Sequence, residues 1–208
     1  MDTITLALAK GRTAKDSIAL LEKMDIFFKE FHEKSRKLVF HSTDQAVKLI
    51  FVKAVDVPTY VEKGAADIGI VGRDNILEAQ ADVYEMLDLG IGKCRFVVAG
   101  YADPDLKDKQ KLMVASKYPT VTRNHFQKDN RSIDTIKLNG SVELAPLIGL
   151  ADCIVDIVET GTTIDENGLT ILEEIETIST RLIVNKASFA TKTATIQDFI
   201  NRLKETLE

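Results

Sequence analysis

Tryptophan is absent from the 208-residue sequence, and cysteine, histidine and proline are scarce. The two cysteines, Cys94 and Cys153, lie far apart and outside any CxxC motif, which argues against a disulfide framework and a structural zinc site. We expect both to be buried thiols in a reducing compartment. The three histidines, at 32, 41 and 125, form no spaced pair, so no protein-held metal ion is predicted.

Long hydrophobic runs and an excess of basic charge are also missing. No window approaches the ~18 apolar residues of a membrane helix. The charges follow the short apolar run at the N-terminus, whereas a signal peptide carries them before a longer run. We therefore expect a cytoplasmic protein without a membrane partner. The net charge of −5 is opposite in sign to that of a general nucleic-acid binder, although a local basic pocket for an anionic small molecule is compatible with it.

The sequence does contain a regular alternation of β-branched apolar runs and amphipathic helical patterns. This alternation predicts α/β sheets with helices on both faces. Capping boxes that begin at Thr13 and Thr195, and an N-cap at Asp74, predict three helix starts. Residues 89–92 contain two glycines and are the best candidate for a domain boundary. The predicted strands are 4–9, 38–41, 47–53, 67–71, 93–100, 112–116, 133–138, 151–158, 169–178 and 181–185.

The most informative segment is ADCIVDIVETGTT at 151–163. An apolar strand ends in two carboxylates and is followed by threonines around one glycine, which are Asp156, Glu159, Thr160, Gly161, Thr162 and Thr163. Amides at a helix start bind phosphate, and carboxylates just before them are within reach of the hydroxyls of an attached ribose. The segment therefore predicts a ribose 5-phosphate site. The alternative interpretation is a Thr-rich cap and turn with solvated acids.

Two further segments contain charged residues directly after predicted strands. In LALAKGR at 6–12, Lys10 and Arg12 flank Gly11 where the first strand meets the first helix, a position suited to a polyphosphate or to a solvated basic turn. In GAADIGIVGRD at 64–74, a structural role is favoured for Asp67, while Arg73 and Asp74 fit either a site or a helix start. The glycine spacing is not GxGxxG, so a dinucleotide fingerprint is not supported.

Taken together, these segments resemble the short form of the ATP phosphoribosyltransferase family, which opens histidine biosynthesis. The resemblance runs from end to end, and ETGTT matches the phosphoribosyl-pyrophosphate (PRPP) loop of the family. The matching stretches are LALAKGR at 6–12, DVPTYVEKGAADIGIVGRD at 56–74, LNGSVELAPLIGLADCIVDIVETGTT at 138–163 and VNKASFATK at 184–192.

The resemblance implies a fold like that of type II periplasmic binding proteins, in which two α/β domains face each other across a cleft. Residues 1–89 and 180–208 would form domain I, and residues 90–179 would form domain II with the PRPP loop. The resemblance also implies a histidyl-tRNA-synthetase-like regulatory subunit in a hetero-oligomer. Because the chain ends directly after one amphipathic helix, we expect histidine regulation to reside on that partner.

The reaction implied is transfer of the phosphoribosyl group of PRPP to N1 of the adenine of ATP, with release of pyrophosphate. Asp156 and Glu159 would bind the ribose hydroxyls and residues 160–163 the 5-phosphate, while Mg²⁺ would arrive on the substrate phosphates. The catalytic cations are predicted to be Lys10, Arg12 and Lys53. Lys53 stands in the strand where relatives often carry an arginine. ATP binding is assigned to Gly11, Arg73, Asp74 and Arg95.

Two other functions remain open from the sequence alone. One is a non-enzymatic small-molecule binding protein of the same fold, although such binders are usually exported and the chain shows no signal peptide. The other is a phosphoribosyltransferase that acts on a different base. An assay for phosphoribosyl-ATP, repeated with other bases in place of ATP, distinguishes all three.

Overall fold

A computed structural model describes residues 3–32, 35–103, 106 and 109–207 of the chain. Its strands are β1 (Ile4–Ala9), β2 (Val39–His41), β3 (Val47–Val52), β4 (Ile68–Gly72), β5 (Tyr84–Asp88), β6 (Cys94–Gly100), β7 (Leu112–Ser116), β8 (Ile133–Lys137), β9 (Cys153–Val158), β10 (Thr170–Ile178) and β11 (Thr180–Val184). Its helices are α1 (Arg12–Lys23), α2 (Val57–Glu62), α3 (Arg73–Ala79), α4 (Pro119–Lys128), α5 (Leu144–Leu147), α6 (Thr162–Glu166), α7 (Lys186–Thr191) and α8 (Thr193–Glu205). None of the helices in the described ranges is long and apolar enough to cross a bilayer.

The chain divides into two compact units. Domain I comprises Met1–Gly92 and Ser179–Glu208, and domain II comprises Lys93–Ile178. The sequence placed these boundaries at 89/90 and 179/180. The first boundary lies later because residues 89–91 stay hydrogen-bonded to a strand of domain I: the N–H of Leu89 donates to Thr180 O, and the N–H of Thr180 donates to Ile91 O.

Domain I is built on a six-stranded mixed sheet with the order β2-β3-β1-β4-β11-β5. The central strands β3, β1 and β4 run parallel, with Ala9 opposite Val52 and Leu8 opposite Ile70. The carboxyl ends of these three strands therefore meet at one edge of the sheet. The residues that follow them gather at that edge, where open α/β sheets usually bind their ligands.

The core of domain I settles which half of the chain the last helix packs on. The apolar face of α8 lies in one cluster with Leu6 and Leu8 of β1. The buried residues of this face recur at a helical spacing and are Ile196, Phe199, Ile200 and Leu203. Burying each such side chain contributes roughly 1.5–3 kcal/mol, so α8 is an integral part of domain I.

A buried carboxylate connects the first strand, the loop before β4 and the C-terminal helices. Oδ2 of Asp67 accepts hydrogen bonds from the N–H of Thr5 at 2.8 Å and from Nζ of Lys192 at 2.9 Å. Burial alone raises the pKa of Asp67, but hydrogen bonds from Thr5, Ser188 and Lys192, together with the charge of Lys192, hold this pKa below its usual value. The structural role favoured for Asp67 thus agrees with its contacts.

Domain II is a five-stranded sheet with the order β10-β6-β9-β7-β8. Strand β9 is central, parallel to β7 and antiparallel to β6. Its first residues are buried on both faces, which explains the nearly continuous apolar run in the sequence. Ile164 of α6 and Leu169 pack in the same core as Ile154, so the segment that follows β9 is anchored on both sides.

All three predicted helix starts are wrong by a few residues. Gly11, Gly72 and Lys192 occupy the N-cap positions of α1, α3 and α8, and none of them makes a side-chain cap hydrogen bond. Thr13, Asp74 and Thr195 lie inside the helices. Gly11 and Gly72 lie where a strand leads into a helix, and Lys192 lies between α7 and α8.

Candidate active site

The segment after β9 lines a pocket of about 250 Å³ in domain II. The structure brings all of the predicted PRPP-binding residues to this pocket. They are Asp156, Glu159, Thr160, Gly161, Thr162 and Thr163. Glu143, which the sequence analysis assigned no role, also lines it. Glu143 lies in the 138–163 stretch that resembles the family, but no motif marked it, because only the fold brings the start of α5 next to the end of β9.

The backbone conformation at Gly161 leaves open space beside the loop. Gly161 has φ 95° and ψ −10°, a left-handed conformation that favours glycine, and it is the N-cap of α6. A Cβ built at Gly161 would meet protein atoms only at 3.9–4.0 Å, so the protein itself does not crowd this position. A small, rigid ligand with several acceptor oxygens can therefore approach the peptide group closely.

Hydroxyls and amides cluster around Gly161. The Oγ1 atoms of Thr160 and Thr162 are 3.0 Å apart, and both side chains are exposed. The first N–H groups of a helix have no carbonyl partner within the helix. At the start of α6, the N–H of Thr162 makes a long hydrogen bond of 3.4 Å to Oγ1 of Thr160. Hydroxyl and amide donors around one glycine are the groups that a phosphate monoester requires.

The two acids lie on the strand side of the loop. Asp156 is half-buried near the end of β9, and its Oδ1 accepts a hydrogen bond from the N–H of Ile157 at 2.8 Å. Glu159 is exposed one residue after the strand. The carboxylates therefore border the same pocket as the threonines, in the order that a ribose attached to a phosphate requires.

Domain I has a basic pocket of about 440 Å³ with an aromatic wall. It is lined by Lys10, Gly11, Arg12, Ala14, Lys15, Phe31 and Phe51. Gly11 has φ 113° and leads directly from β1 into α1, which places the cations before and after it around one space. Nζ of Lys10 donates to Ser35 O at 2.6 Å and lies 5.6 Å from the centroid of the Phe51 ring.

Lys53 borders a second pocket in domain I, of about 610 Å³, together with Lys10. It follows β3 and is the N-cap of the 3₁₀ turn Ala54–Asp56. Its exposed side chain lies at the same sheet edge as Lys10, as the parallel pairing of β1 and β3 requires. Lys10 therefore borders both pockets and shares one with Arg12 and the other with Lys53.

Three residues predicted to bind ATP are engaged within the protein. Nε of Arg73 lies 3.4 Å from Oε2 of Glu85, and Arg95 on β6 forms an ion pair with Glu174. Asp74 is buried, and its Oδ2 accepts from Nδ2 of Asn75 at 2.9 Å. Neither Arg73 nor Asp74 lines the two pockets that contain Lys10, so the structure does not bring them together with Gly11 in one of those pockets.

Comparison with known proteins gives one consistent family. The HisG family model, described as ATP phosphoribosyltransferase, matches residues 53–205. An ATP phosphoribosyltransferase of Oceanobacillus iheyensis is 62% identical over 203 residues, covering 98% of both chains, and one of Listeria monocytogenes is 50% identical over the whole chain and 98% of its own length.

Solved structures agree on the fold. The ATP phosphoribosyl transferase (HisG:HisZ) complex from Thermotoga maritima matches with a TM-score of 0.86 and 35% identity, over 99% of this chain and 98% of that one. The periplasmic aliphatic sulphonate binding protein SsuA from Escherichia coli matches with a TM-score of 0.60, over the whole chain and 73% of its own. At 12% identity, SsuA shows only that the two α/β domains have the type II periplasmic-binding-protein fold.

The fold and the relatives together define a glycosyltransferase that moves a pentosyl group, and not a non-enzymatic binder. In particular, the chain belongs to the ATP phosphoribosyltransferase family. Its activity is the first step of histidine biosynthesis, in which the phosphoribosyl group of PRPP is transferred to N1 of the adenine of ATP and pyrophosphate is released.

Proposed function

We propose that the loop after β9 binds the phosphoribosyl half of PRPP. Thr160, Gly161, Thr162 and Thr163 hold the 5-phosphate through hydroxyls and amides, and the carboxylates of Asp156 and Glu159 accept from the ribose hydroxyls. The convergence of these side chains on one pocket, with Gly161 in a left-handed conformation at its base, is the observation that supports this assignment.

The cations of domain I then bind the polyphosphates. Lys10, Arg12 and Lys53 offset the charge that develops on the departing pyrophosphate. Lys15 lines the pocket of Lys10 and Arg12 and adds to its positive charge. Arg12 can grip two phosphate oxygens at once, whereas Lys53 acts as a point charge. Gly11 gives a phosphate access to the backbone, and its Cβ position has no neighbour within 4 Å.

Arg73, Asp74 and Arg95 complete the proposed ATP-binding set, although each has a partner within the protein. Ion pairs such as Arg95 with Glu174 lie partly in solvent, so exchanging one anionic partner for a phosphate costs little. This exchange releases a guanidinium for ATP without disturbing the core. Arg73, which is paired with Glu85, is able to make the same exchange.

Catalysis requires no protein nucleophile. The transition state at the anomeric carbon has oxocarbenium character, so the protein contributes by positioning two anionic substrates and by stabilising the leaving group. Mg²⁺ is expected to arrive on the substrate phosphates, because this ion is commonly held through phosphates with few protein ligands. When bound, Mg²⁺ neutralises part of the pyrophosphate charge.

We also propose a regulatory partner that resembles histidyl-tRNA synthetase, in a hetero-oligomer located in the cytoplasm. Support for the partner comes from the Thermotoga maritima relative, which forms a HisG:HisZ complex. The two free cysteines, Cys94 and Cys153, suit a reducing compartment.

Replacing Gly161 with valine tests the phosphate loop. Valine at a left-handed φ is strained, and its side chain blocks approach of the phosphate to the peptide group. PRPP affinity, measured by calorimetry, should fall at least tenfold, which corresponds to about 1.4 kcal/mol. Circular dichroism and a thermal melt should show that the variant remains folded.

Gly168→Val is the matched control. Gly168 also has a left-handed φ, of 67°, and has no neighbour within 4 Å of its Cβ position, but it does not line the pocket. It should therefore lose a similar amount of thermal stability and keep its affinity for PRPP. Unchanged PRPP affinity in a folded Gly161→Val protein would contradict the assignment of this loop.

A further inference from the structure

One histidine and two carboxylates converge on domain II outside the residues assigned to either substrate. His125 lies in the second half of α4, Asp129 is the C-cap of that helix, and Glu173 lies on the edge strand β10. One potential ligand atom from each side chain lies within 4.8 Å of the other two. On α4 the histidine and the aspartate are four residues apart, a spacing that places two side chains on the same face of a helix.

The imidazole of His125 is the unusual member of this group. The residue is only 9% exposed, and its Nε2 atom is buried without a hydrogen-bond partner. This atom nevertheless lies 3.2 Å from Oε1 of Glu173. An imidazole lone pair and a carboxylate oxygen are both acceptors, so they stay this close at low cost only when a cation or a proton lies between them.

The distance between the two atoms suits a metal ion. Zinc lies about 2.0–2.2 Å from imidazole nitrogen and carboxylate oxygen, so two ligand atoms 3.2 Å apart subtend an angle of about 100° at a shared ion. This angle falls between the octahedral and tetrahedral values. The exposed carboxylates of Asp129 and Glu173 give an ion access from solvent.

The neighbouring guanidinium does not compete for this position. Nη2 of Arg131 donates to Leu106 O at 2.8 Å, and its guanidinium carbon lies 5.5 Å from the centroid of the Phe126 ring. Arg131 therefore already has partners of its own. The carboxylates of Asp129 and Glu173 have no ion pair with lysine or arginine among the contacts of the described residues.

We propose that His125, Asp129 and Glu173 bind a divalent transition-metal ion of borderline softness, such as Zn²⁺, with water at the remaining positions. One imidazole and two carboxylates favour such an ion over Mg²⁺, which prefers oxygen ligands alone. The bound ion connects the C-terminal end of α4 to β10 and so stabilises domain II. It is distinct from the Mg²⁺ that the substrates carry.

Calorimetric titration of the chelator-treated full chain with zinc chloride, in a phosphate-free buffer with excess Mg²⁺, tests this site. We expect saturable binding of one Zn²⁺ per chain that Mg²⁺ does not displace. The variants D129N and E173Q should each weaken binding at least tenfold, and the double variant should abolish it. Zn²⁺ should also raise the melting temperature of the original chain, but not that of the double variant.

Two control variants separate this site from adventitious binding. H41N removes an exposed imidazole of domain I, and D134N removes an exposed carboxylate of domain II, and neither should change the affinity. Since Asp129 and Glu173 are exposed, their variants should fold. They therefore test the site without a substitution at the buried His125. The proposal is overturned if Zn²⁺ does not saturate one site, if D129N and E173Q bind as tightly as the original chain, or if H41N or D134N weakens binding equally.

Discussion

At the scale of single residues, a cation at a strand–helix junction can serve the fold or a ligand, and Arg12 allows the two roles to be separated. It is the exposed first residue of α1 and lines the basic pocket of domain I. An exposed guanidinium contributes little to the packing of the core, because its methylene groups lie outside it. A large effect of Arg12 on catalysis with a small effect on stability therefore identifies a ligand-binding role.

We predict that Arg12→Ala lowers turnover by roughly tenfold or more, because a charge-assisted contact to the leaving pyrophosphate is lost. Its melting temperature should stay within a few degrees of that of the original chain, as expected for a surface substitution. The measurements are the initial rate of phosphoribosyl-ATP formation and a thermal melt.

Lys23→Ala is the appropriate control, since Lys23 is an exposed cation at the other end of the same helix. It should leave the rate unchanged. If Arg12→Ala instead lowers the melting temperature sharply while activity per folded molecule stays normal, then the basic turn is structural.

The phosphate-binding role of the loop after β9 was predictable from the sequence, because its residues are consecutive and each residue type has a distinct chemistry. The carboxylates, the glycine and the threonines line one pocket, as a strand followed by a tight turn requires. Glu143 and Glu173 were not predictable as site residues, because only the folded structure brings each of them close to its neighbours in the site. Their partners are far away in sequence, and an isolated glutamate carries no signal of its own.

At the scale of elements, most strands were predictable, including the edge strand β10, but the exposed edge strand β5 was not. Strand β9 is fully apolar over its first half, and β7 was predicted at its observed bounds. Strand β5 was missed, because every residue in Tyr84–Asp88 is exposed or half-buried and no alternation marks it. The strand conformation of β5 comes from its pairing with β11 and not from a pattern in the sequence of β5.

Elements of domain I that are distant in sequence are joined by the carboxylate of Asp67, and this contact has a pH signature. The folded-state pKa of Asp67 lies below its usual value, so its contribution to stability is present above about pH 4 and is lost as pH falls through the folded pKa. Asp67→Asn should lower the free energy of unfolding by about 2 kcal/mol at neutral pH, because charge-assisted hydrogen bonds are lost. Urea denaturation at a series of pH values measures this difference, which should shrink below about pH 4.

Asp82→Asn provides the comparison for this measurement. Asp82 forms an exposed ion pair with Lys186 in the same domain, and such pairs contribute about 0–1 kcal/mol. A loss of stability in Asp67→Asn that is no larger than in Asp82→Asn, or that does not change with pH, would show that the contact with Lys192 is unimportant.

At the scale of the whole molecule, the path of the chain explains why the C-terminal segment belongs with the N-terminal half. Strand β11 pairs with β4 and β5, and α8 then packs in the core that contains β1. The helical spacing of apolar residues in α8 marks one face as apolar but carries no information about what that face packs against. The resemblance to a family of known fold supplied that partner, and the structure agrees with it.

The regulation of the enzyme is the last property that belongs to the whole molecule. Inhibition by histidine at a distance requires a second site and a coupling free energy between the two sites. Both α/β domains are assigned to substrates here, with the PRPP loop in domain II and the basic pockets in domain I. The effector site is therefore expected on the proposed synthetase-like partner. We predict that histidine does not inhibit the purified chain at concentrations that inhibit the assembled complex, and that adding the partner restores inhibition. The test is a titration of initial rate against histidine, with and without the partner. An isolated chain that histidine inhibits as strongly as the complex would place the effector site within the two domains described here.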